Sequence, residues 1–194
     1  MTIRKDAPRL SRSREAMLDA FRVLLIERGY EKMTVQHVLN RAHVGRATFY
    51  AHFRNKRDLL DSSLDRLQNA LRLAWRNEIS RSRSADTVFG FSREFFRHVD
   101  GHRRIYDLIV GRPSEVTIER SMRGILCNLV REDFVARLGT RRASKHIEPA
   151  VQYFGGALWS LMVWWISTRA PITADDLDAR FHALAAPSVK ASLA

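Results

Sequence analysis

Apolar residues recur at helical intervals along this chain and never alternate with period two over a sustained run, so the pattern predicts an all-α protein. Met17, Ala20, Phe21, Leu24 and Leu25 form the i, i+3, i+4, i+7, i+8 stripe of a half-buried helix that begins near Ser13. Gly29 suits the end of that helix, where a left-handed residue is common. Thr34 then caps a short helix with Val35, Val38, Leu39 and Ala42 turned inward. A tight turn over His43, Val44 and Gly45 leads into a third short helix, from Arg46 to about His52. A fourth begins near Lys56 and keeps Leu59, Leu60, Leu64, Leu67, Leu71 and Trp75 on its apolar side.

Residues 80–86 (SRSRSAD) read as a polar connection. Beyond them the spacing predicts a helix from Val88 to His98, broken at Asp100-Gly101, and a shorter one from His102 to Val110, stopped by Gly111 and Pro113. A long amphipathic helix follows over 115–138, with Met122, Ile125, Leu126, Leu129, Val130 and Phe134 in register. A basic loop over 139–146 separates it from two last helices, about 147–168 and 174–186, which Pro171 divides. Thr173 caps the second of these. The count is about nine helices.

The run from Pro149 to Thr168 has no charge and is long enough to span a bilayer. Gln152, Gly155, Gly156, Ser160 and Ser167 interrupt it, however, and no second run of this kind exists. A buried or interface helix fits it better, with Gly156 and Ser160 as a small-xxx-small pair that admits a partner helix.

Charge changes the picture. The chain is 45% apolar and 28% charged, as a globular protein is, yet 33 Lys and Arg against 21 Asp and Glu leave a net +12. Residues 1–60 hold 13 basic against 6 acidic side chains, more than half of that excess. Such a balance suits a polyanion, nucleic acid before an anionic membrane surface. Most of the basic residues are Arg, whose planar fork matches phosphate and guanine edges. The basic arm Arg4, Lys5 and Arg9 can add phosphate or minor-groove contact or be a disordered tail. The single cysteine, Cys127, excludes an intramolecular disulfide and suits a reducing cytosol. No signal-peptide pattern opens the chain, so a cytoplasmic location is expected.

Two short helices joined by a three-residue turn, TVQHVLNRAHVGRATFYAHFRNK over 34–56, make a helix-turn-helix arrangement. A second helix that enters a major groove about 12 Å wide needs a thin polar face outside and an anchor inside. Val44, Phe49 and Phe53 are the anchor. Gly45, Arg46, Ala47, Thr48, Tyr50 and His52 fall on or near the exposed side. Arg suits guanine O6/N7, Thr and Ala the thymine methyl, and Tyr and His a phosphate or base edge. Thr34, Gln36 and His37 on the preceding helix, with Arg54 and Lys56 beyond, suit the sugar-phosphate backbone.

This stretch resembles the DNA-binding domain of the tetracycline-repressor (TetR) family of bacterial transcription regulators. The likeness rests on Thr34, Val35, Ala42, Val44, Thr48, Tyr50, His52, Phe53, Lys56 and Leu59, and covers about the first third of the chain. His43 stands where the family turn has Gly, Gly45 where Ser is common, and Leu39 where a small residue is usual. His43 is therefore expected to hold a left-handed backbone, and Gly45 to lack a side-chain cap.

The resemblance implies two parts: an arm and DNA-binding head over 1–57, and a helical effector-binding and dimerisation body over 58–194. It implies a homodimer on double-stranded DNA with palindromic half-sites, released by a small-molecule effector. An aromatic lining drawn from Trp75, Phe91, Phe95, His98, Tyr106, Met122, Phe134 and Trp159 suits a hydrophobic or aromatic effector. Tyr153, Gly156, Trp159, Ser160, Met162, Trp165 and Leu184 are candidates for the dimer face.

His98 and His102, spaced i, i+4, have metal-ligand spacing, but no third ligand accompanies them; polar contact with an effector or a plain surface position suits them better. No nucleophile elbow, Gly-rich phosphate loop, HExxH or CxxC is present, so neither enzyme activity nor a cofactor is expected. Two alternatives stay open: a DNA-binding regulator without an effector, and a membrane-associated basic helical protein.

Overall fold

The computed structural model describes residues 7–81, 88–110, 116–138 and 147–193, and every regular element among them is an α-helix. In chain order they are α1 (Ala7–Arg28), α2 (Val35–Ala42), α3 (Arg46–Tyr50), α4 (Lys56–Arg81), α5 (Ser92–Gly101), α6 (Arg103–Ile109), α7 (Val116–Leu138), α8 (Glu148–Thr168) and α9 (Ala174–Leu193). The expectations for Arg4 and Lys5, most of the 80–86 connection, Gly111, Pro113 and the loop 139–146 lie outside the described residues, as does the Arg9 side chain.

The N-terminal unit forms because α1 presents Met17, Leu18, Phe21 and Leu24, all buried, to Val38, Leu39, Phe49 and Phe53. At 8 and 5 residues, α2 and α3 are too short to persist alone, so this burial holds them. Leu39 is 4% exposed, so the head accepts the larger side chain at that position. Arg41 of α2 reaches Glu27 of α1 through two bonds of 2.8 Å each. The 26-residue α4 then runs without interruption across the 57/58 boundary into the larger body. There α7 lies beside it in the same direction. Arg57 donates to Ser121 at 3.1 Å, Arg72 holds Glu132 at 2.5–3.1 Å, and Trp75 Nε1 donates to the buried Asp133 at 2.9 Å.

The body is built on the α7–α8 pair and an aromatic core. Gly155 lets the two helices meet: a Cβ there would stand 2.7 Å from Cys127 Sγ and 3.2 Å from Cys127 Cα. The ring of Phe89 lies at the centre of the core, 5.0 Å from Phe154 and 5.9 Å from both Phe134 and Phe181. Its backbone is left-handed, φ 49°. The following Gly90 passes so close to α4 that a Cβ would stand 2.9 Å from Glu78 Cβ.

Several boundaries differ from the pattern. α1 starts at Ala7 rather than near Ser13, with Pro8 in a first turn where no N–H is needed. α5 starts at Ser92 rather than Val88, because the left-handed Phe89 interrupts the chain direction. The break expected at Asp100-Gly101 falls one residue later, at His102. α9 continues through Pro187 to Leu193, and Ser188 Oγ donates to the Leu184 carbonyl in the interrupted turn. Among the described residues no helix is long and apolar enough to cross a membrane.

Candidate nucleic-acid interface

His43 ends α2 in a left-handed conformation, φ 53° and ψ 44°, and its N–H donates to the Leu39 carbonyl. Val44 N–H meets the same oxygen at 3.1 Å, the pattern that closes a helix at a left-handed residue. Gly45, which opens α3, has an ordinary extended backbone (φ −78°, ψ 161°) and offers no side-chain cap. A Cβ built on it meets nothing within 4 Å. The turn thus has its glycine where none is required and lacks one where the backbone favours it.

Behind α3, Phe49 is buried 5.7 Å from Phe53. In front, Arg46, Ala47 and Tyr50 are exposed, Tyr50 at 58%, and Thr48 is half-buried beside them. Arg46 Nη2 donates to Gln36 Oε1 at 3.2 Å, so α2 and α3 share one polar surface. Thr34 Oγ1 accepts from His37 N–H, and His37 Nδ1 accepts from Thr34 N–H, both at 3.3 Å. In this capping box His takes the part usually played by Glu or Gln, and its ring hydrogen is left to Nε2.

Two residues of the expected DNA face behave differently. The Lys56 ammonium turns inward: it donates to the Tyr30 carbonyl at 2.8 Å and the Glu31 carbonyl at 3.4 Å, and sits 4.2 Å from the centre of the Tyr30 ring. It ties α4 to the α1–α2 connection instead of standing free for a phosphate. His52 Nε2 is buried with no hydrogen-bond partner among the described residues, so only Nδ1 is left for a contact outside. Arg54, by contrast, keeps its side chain 88% exposed.

A cavity of about 200 Å³ lies where this unit meets the body. Leu18, Phe21 and Leu25 of α1 form one wall, Leu60, Leu64 and Leu67 of α4 a second, and Ile109, Ile118 and Met122 a third. Of the eight residues expected at an effector pocket, His98, Tyr106 and Met122 line this cavity. Phe91, Phe95, Phe134 and Trp159 are buried elsewhere in the body, where packed rings fill the interior, and Trp75 is held by Asp133. The rings of His98 and His102 stack at 4.2 Å. Burial first, then the neighbouring His102 and Arg22, push the His98 pKa down to about 4. Burial likewise raises the Tyr106 phenol above its ordinary range. Arg22, Ser63 and Arg66 also line the cavity and escaped the sequence pattern, while His102 lines it beside His98. Among the described residues no three His, Cys, Asp or Glu side chains converge as a metal site would require.

The expected dimer face divides in the same way. Tyr153 and Leu184 stand 66% and 73% exposed, Ser160 is exposed, and Gly156 has nothing within 4 Å of a built Cβ. Met162 and Trp165 are sealed inside the subunit, where Trp165 Nε1 donates to the Ile172 carbonyl at 3.0 Å, and Trp159 is nearly so. These three lie beneath the surface that Tyr153, Ser160 and Leu184 share. Trp164, one residue along, is the tryptophan that points outward, 47% exposed.

Residues 17–62 match the family model for bacterial regulatory proteins of the tetR family. The Transposon Tn10 TetC protein of Escherichia coli is 31% identical over 48 residues, which are 25% of this chain and 24% of that protein. The chain thus matches about a quarter of that relative's length. A protein from Syntrophomonas wolfei described as a TetR-family transcriptional regulator shares the fold at TM-score 0.68 and 16% identity, over 90% of this chain and 93% of that one. NalD of Pseudomonas aeruginosa, the secondary repressor of the MexAB-OprM multidrug efflux pump, does so at 0.64 and 17%, over 91% and 96%. Residues 17–62 thus carry the helix-turn-helix of bacterial regulatory proteins of the tetR family, and the chain as a whole shares its fold with those solved structures.

Proposed function

We propose that this protein is a sequence-specific DNA-binding transcriptional regulator, a homodimer that represses until a small-molecule effector loosens its hold on the operator. The observation that carries this reading is the outer side of α3, where Arg46, Ala47, Thr48 and Tyr50 stand forward of an anchor of buried phenylalanines. A helix of that thickness fits a major groove, and the basic excess of residues 1–60 supplies the attraction that brings it there. Two copies are required because one short helix reads few base pairs; paired heads reach grooves about 34–36 Å apart. The outward side of α8 and α9, with Tyr153, Trp164 and Leu184, is the surface available to join them.

The test is to recover genomic fragments with the purified protein and measure its affinity for the selected sites. Arg46→Ala should cost about 1–3 kcal/mol at its own base pair and relax sequence preference there. Arg54→Ala should weaken all sequences alike and lower the salt slope by about one. Fragments bound no more tightly than random DNA would sink the reading, and light scattering at a single subunit mass would sink the dimer.

A further inference from the structure

We propose that the cavity between α1, α4, α6 and α7 binds a small organic anion, a carboxylate on an apolar body of the size of one substituted ring or a medium-length chain. The inference deepens the effector reading above and depends on it for its regulatory meaning; the binding chemistry depends on the cavity alone.

Size sets the first limit. A cavity of about 150 Å³ holds benzene; this one measures about 200 Å³. Its walls are aliphatic and aromatic, so most of the ligand must be apolar. The polar groups set the second limit. His98, His102 and Tyr106 meet the cavity from α5 and α6, Arg22 and Arg66 from α1 and α4, and no carboxylate is among the described residues that line it. From α7 the cavity receives only the apolar Ile118 and Met122. The two arginines are paired outside the cavity, Arg22 with the exposed Asp19 and Arg66 with the half-exposed Glu15.

His102 Nδ1–H donates to the His98 carbonyl at 2.9 Å, which fixes its tautomer and leaves Nε2 uncommitted. Neither ring nitrogen of His98 and no hydroxyl bond of Tyr106 finds a partner among the described residues. Polar groups held in this way favour a ligand that can bond them. A carboxylate accepts from the phenol and from a protonated imidazole, and it is attracted by both arginines. An ammonium would face those same positive charges with only the neutral imidazole and phenol acceptors, and no carboxylate, to offset them. Burial and positive neighbours keep His98 neutral, and a bound carboxylate leaves the burial in place but sets a negative charge and a hydrogen-bond acceptor against the protonated ring's penalty. Binding therefore takes up a proton near neutral pH.

The location gives the site its leverage. Leu18, Phe21 and Leu25 belong to the helix on which α2 and α3 are packed, while Ile109, Ile118 and Met122 belong to the body. A ligand here enters the seam between the two, so any difference in its fit is felt directly by the head.

Isothermal titration of the full chain with octanoate, benzoate, octanamide and octylamine tests the proposal. A carboxylate should bind at least about tenfold tighter than octanamide, and octylamine should not bind. Octanoate affinity should rise about tenfold from pH 8 to pH 6, with heats that depend on the buffer because a proton is taken up. His98→Leu should flatten that pH dependence, and Ser63→Trp, which fills the space, should abolish binding of every probe. The wild-type pH profile decides the matter even if a variant fails to fold. Equal binding of the amide or amine, a flat wild-type profile, or no binding of any probe overturns the site. DNA shifts on the same preparations separate the two readings: intact shifts without carboxylate binding reject only the anion site. Carboxylate binding by a protein that shifts no DNA leaves the site standing and removes its regulatory meaning.

Discussion

His43 and Phe89 hold nearly the same left-handed backbone, φ 53° and 49°, in surroundings that could hardly differ more. His43 is exposed at the end of α2, and its side chain makes no hydrogen bond among the described residues. Phe89 is fully buried among four aromatic neighbours. A left-handed non-glycine residue costs about 1–2 kcal/mol in either place. At Phe89 that cost is offset several times over by the ring it buries. At His43 it is offset by nothing local, so the packing of α2 and α3 on α1 must bear it. The head offsets its strained residue by packing elsewhere, the body by packing of the strained residue itself.

Four changes would break or sharpen that contrast. Phe89→Ala should destabilise the chain by about 3–5 kcal/mol in a guanidinium melt, and Phe89→Gly should do no better than recover the backbone share. Acidification should act on the body next. The unfolded chain protonates His98 near pH 6.5 but the native chain only near 4, so stability falls as pH drops through that window. The loss should reach about 3 kcal/mol at most, and melts of wild type and His98→Leu at pH 7, 5.5 and 4.5 should diverge by that amount. Lys56→Met keeps the stem on Tyr30 but frees two carbonyls, and should cost about 1–3 kcal/mol. Arg54→Ala, two residues away, should leave the midpoint unchanged. The smallest effect has the opposite sign: His43→Gly should raise stability by up to about 1 kcal/mol. A fall in stability on His43→Gly would show that the histidine is held by something other than its backbone.

The left-handed His43 and the α3 face were legible because their chemistry is local. A cap, a turn and an alternation of buried and exposed side chains all lie within a span of some twenty residues. Phe89 was not legible, since its conformation is decided by Phe134, Phe154 and Phe181, far along the chain. The cavity escaped for the same reason: its walls are drawn from α1, α4, α6 and α7, and empty space leaves no period in a sequence. Phe91, Phe95 and Phe134 looked suited to a pocket, but a ring that lines a hole and one that fills it read alike. In α8, apolar on nearly every side, periodicity could not decide which tryptophan faces out, and neighbours on a helix point about 100° apart. Lys56 matched the family pattern for a reason the pattern does not state, its grip on two carbonyls of the preceding turn.

The unbroken α4 has a mechanical consequence. Its far half is pinned to α7 by the paired bonds of Arg72 and by Trp75, its first turn is tied to α7 by the single Arg57–Ser121 bond, and a ligand in the proposed site would press on Leu60, Leu64 and Leu67 between them. With a fulcrum at Arg72, the start of the helix lies roughly 24 Å away at 1.5 Å per residue. A swing of about 5° there would move the head by about 2 Å, enough to undo a base-edge hydrogen bond. Sensitivity in such a lever depends on where it is clamped, and moving the Arg72–Glu132 tie by one turn would change its gearing without touching either the ligand or the DNA.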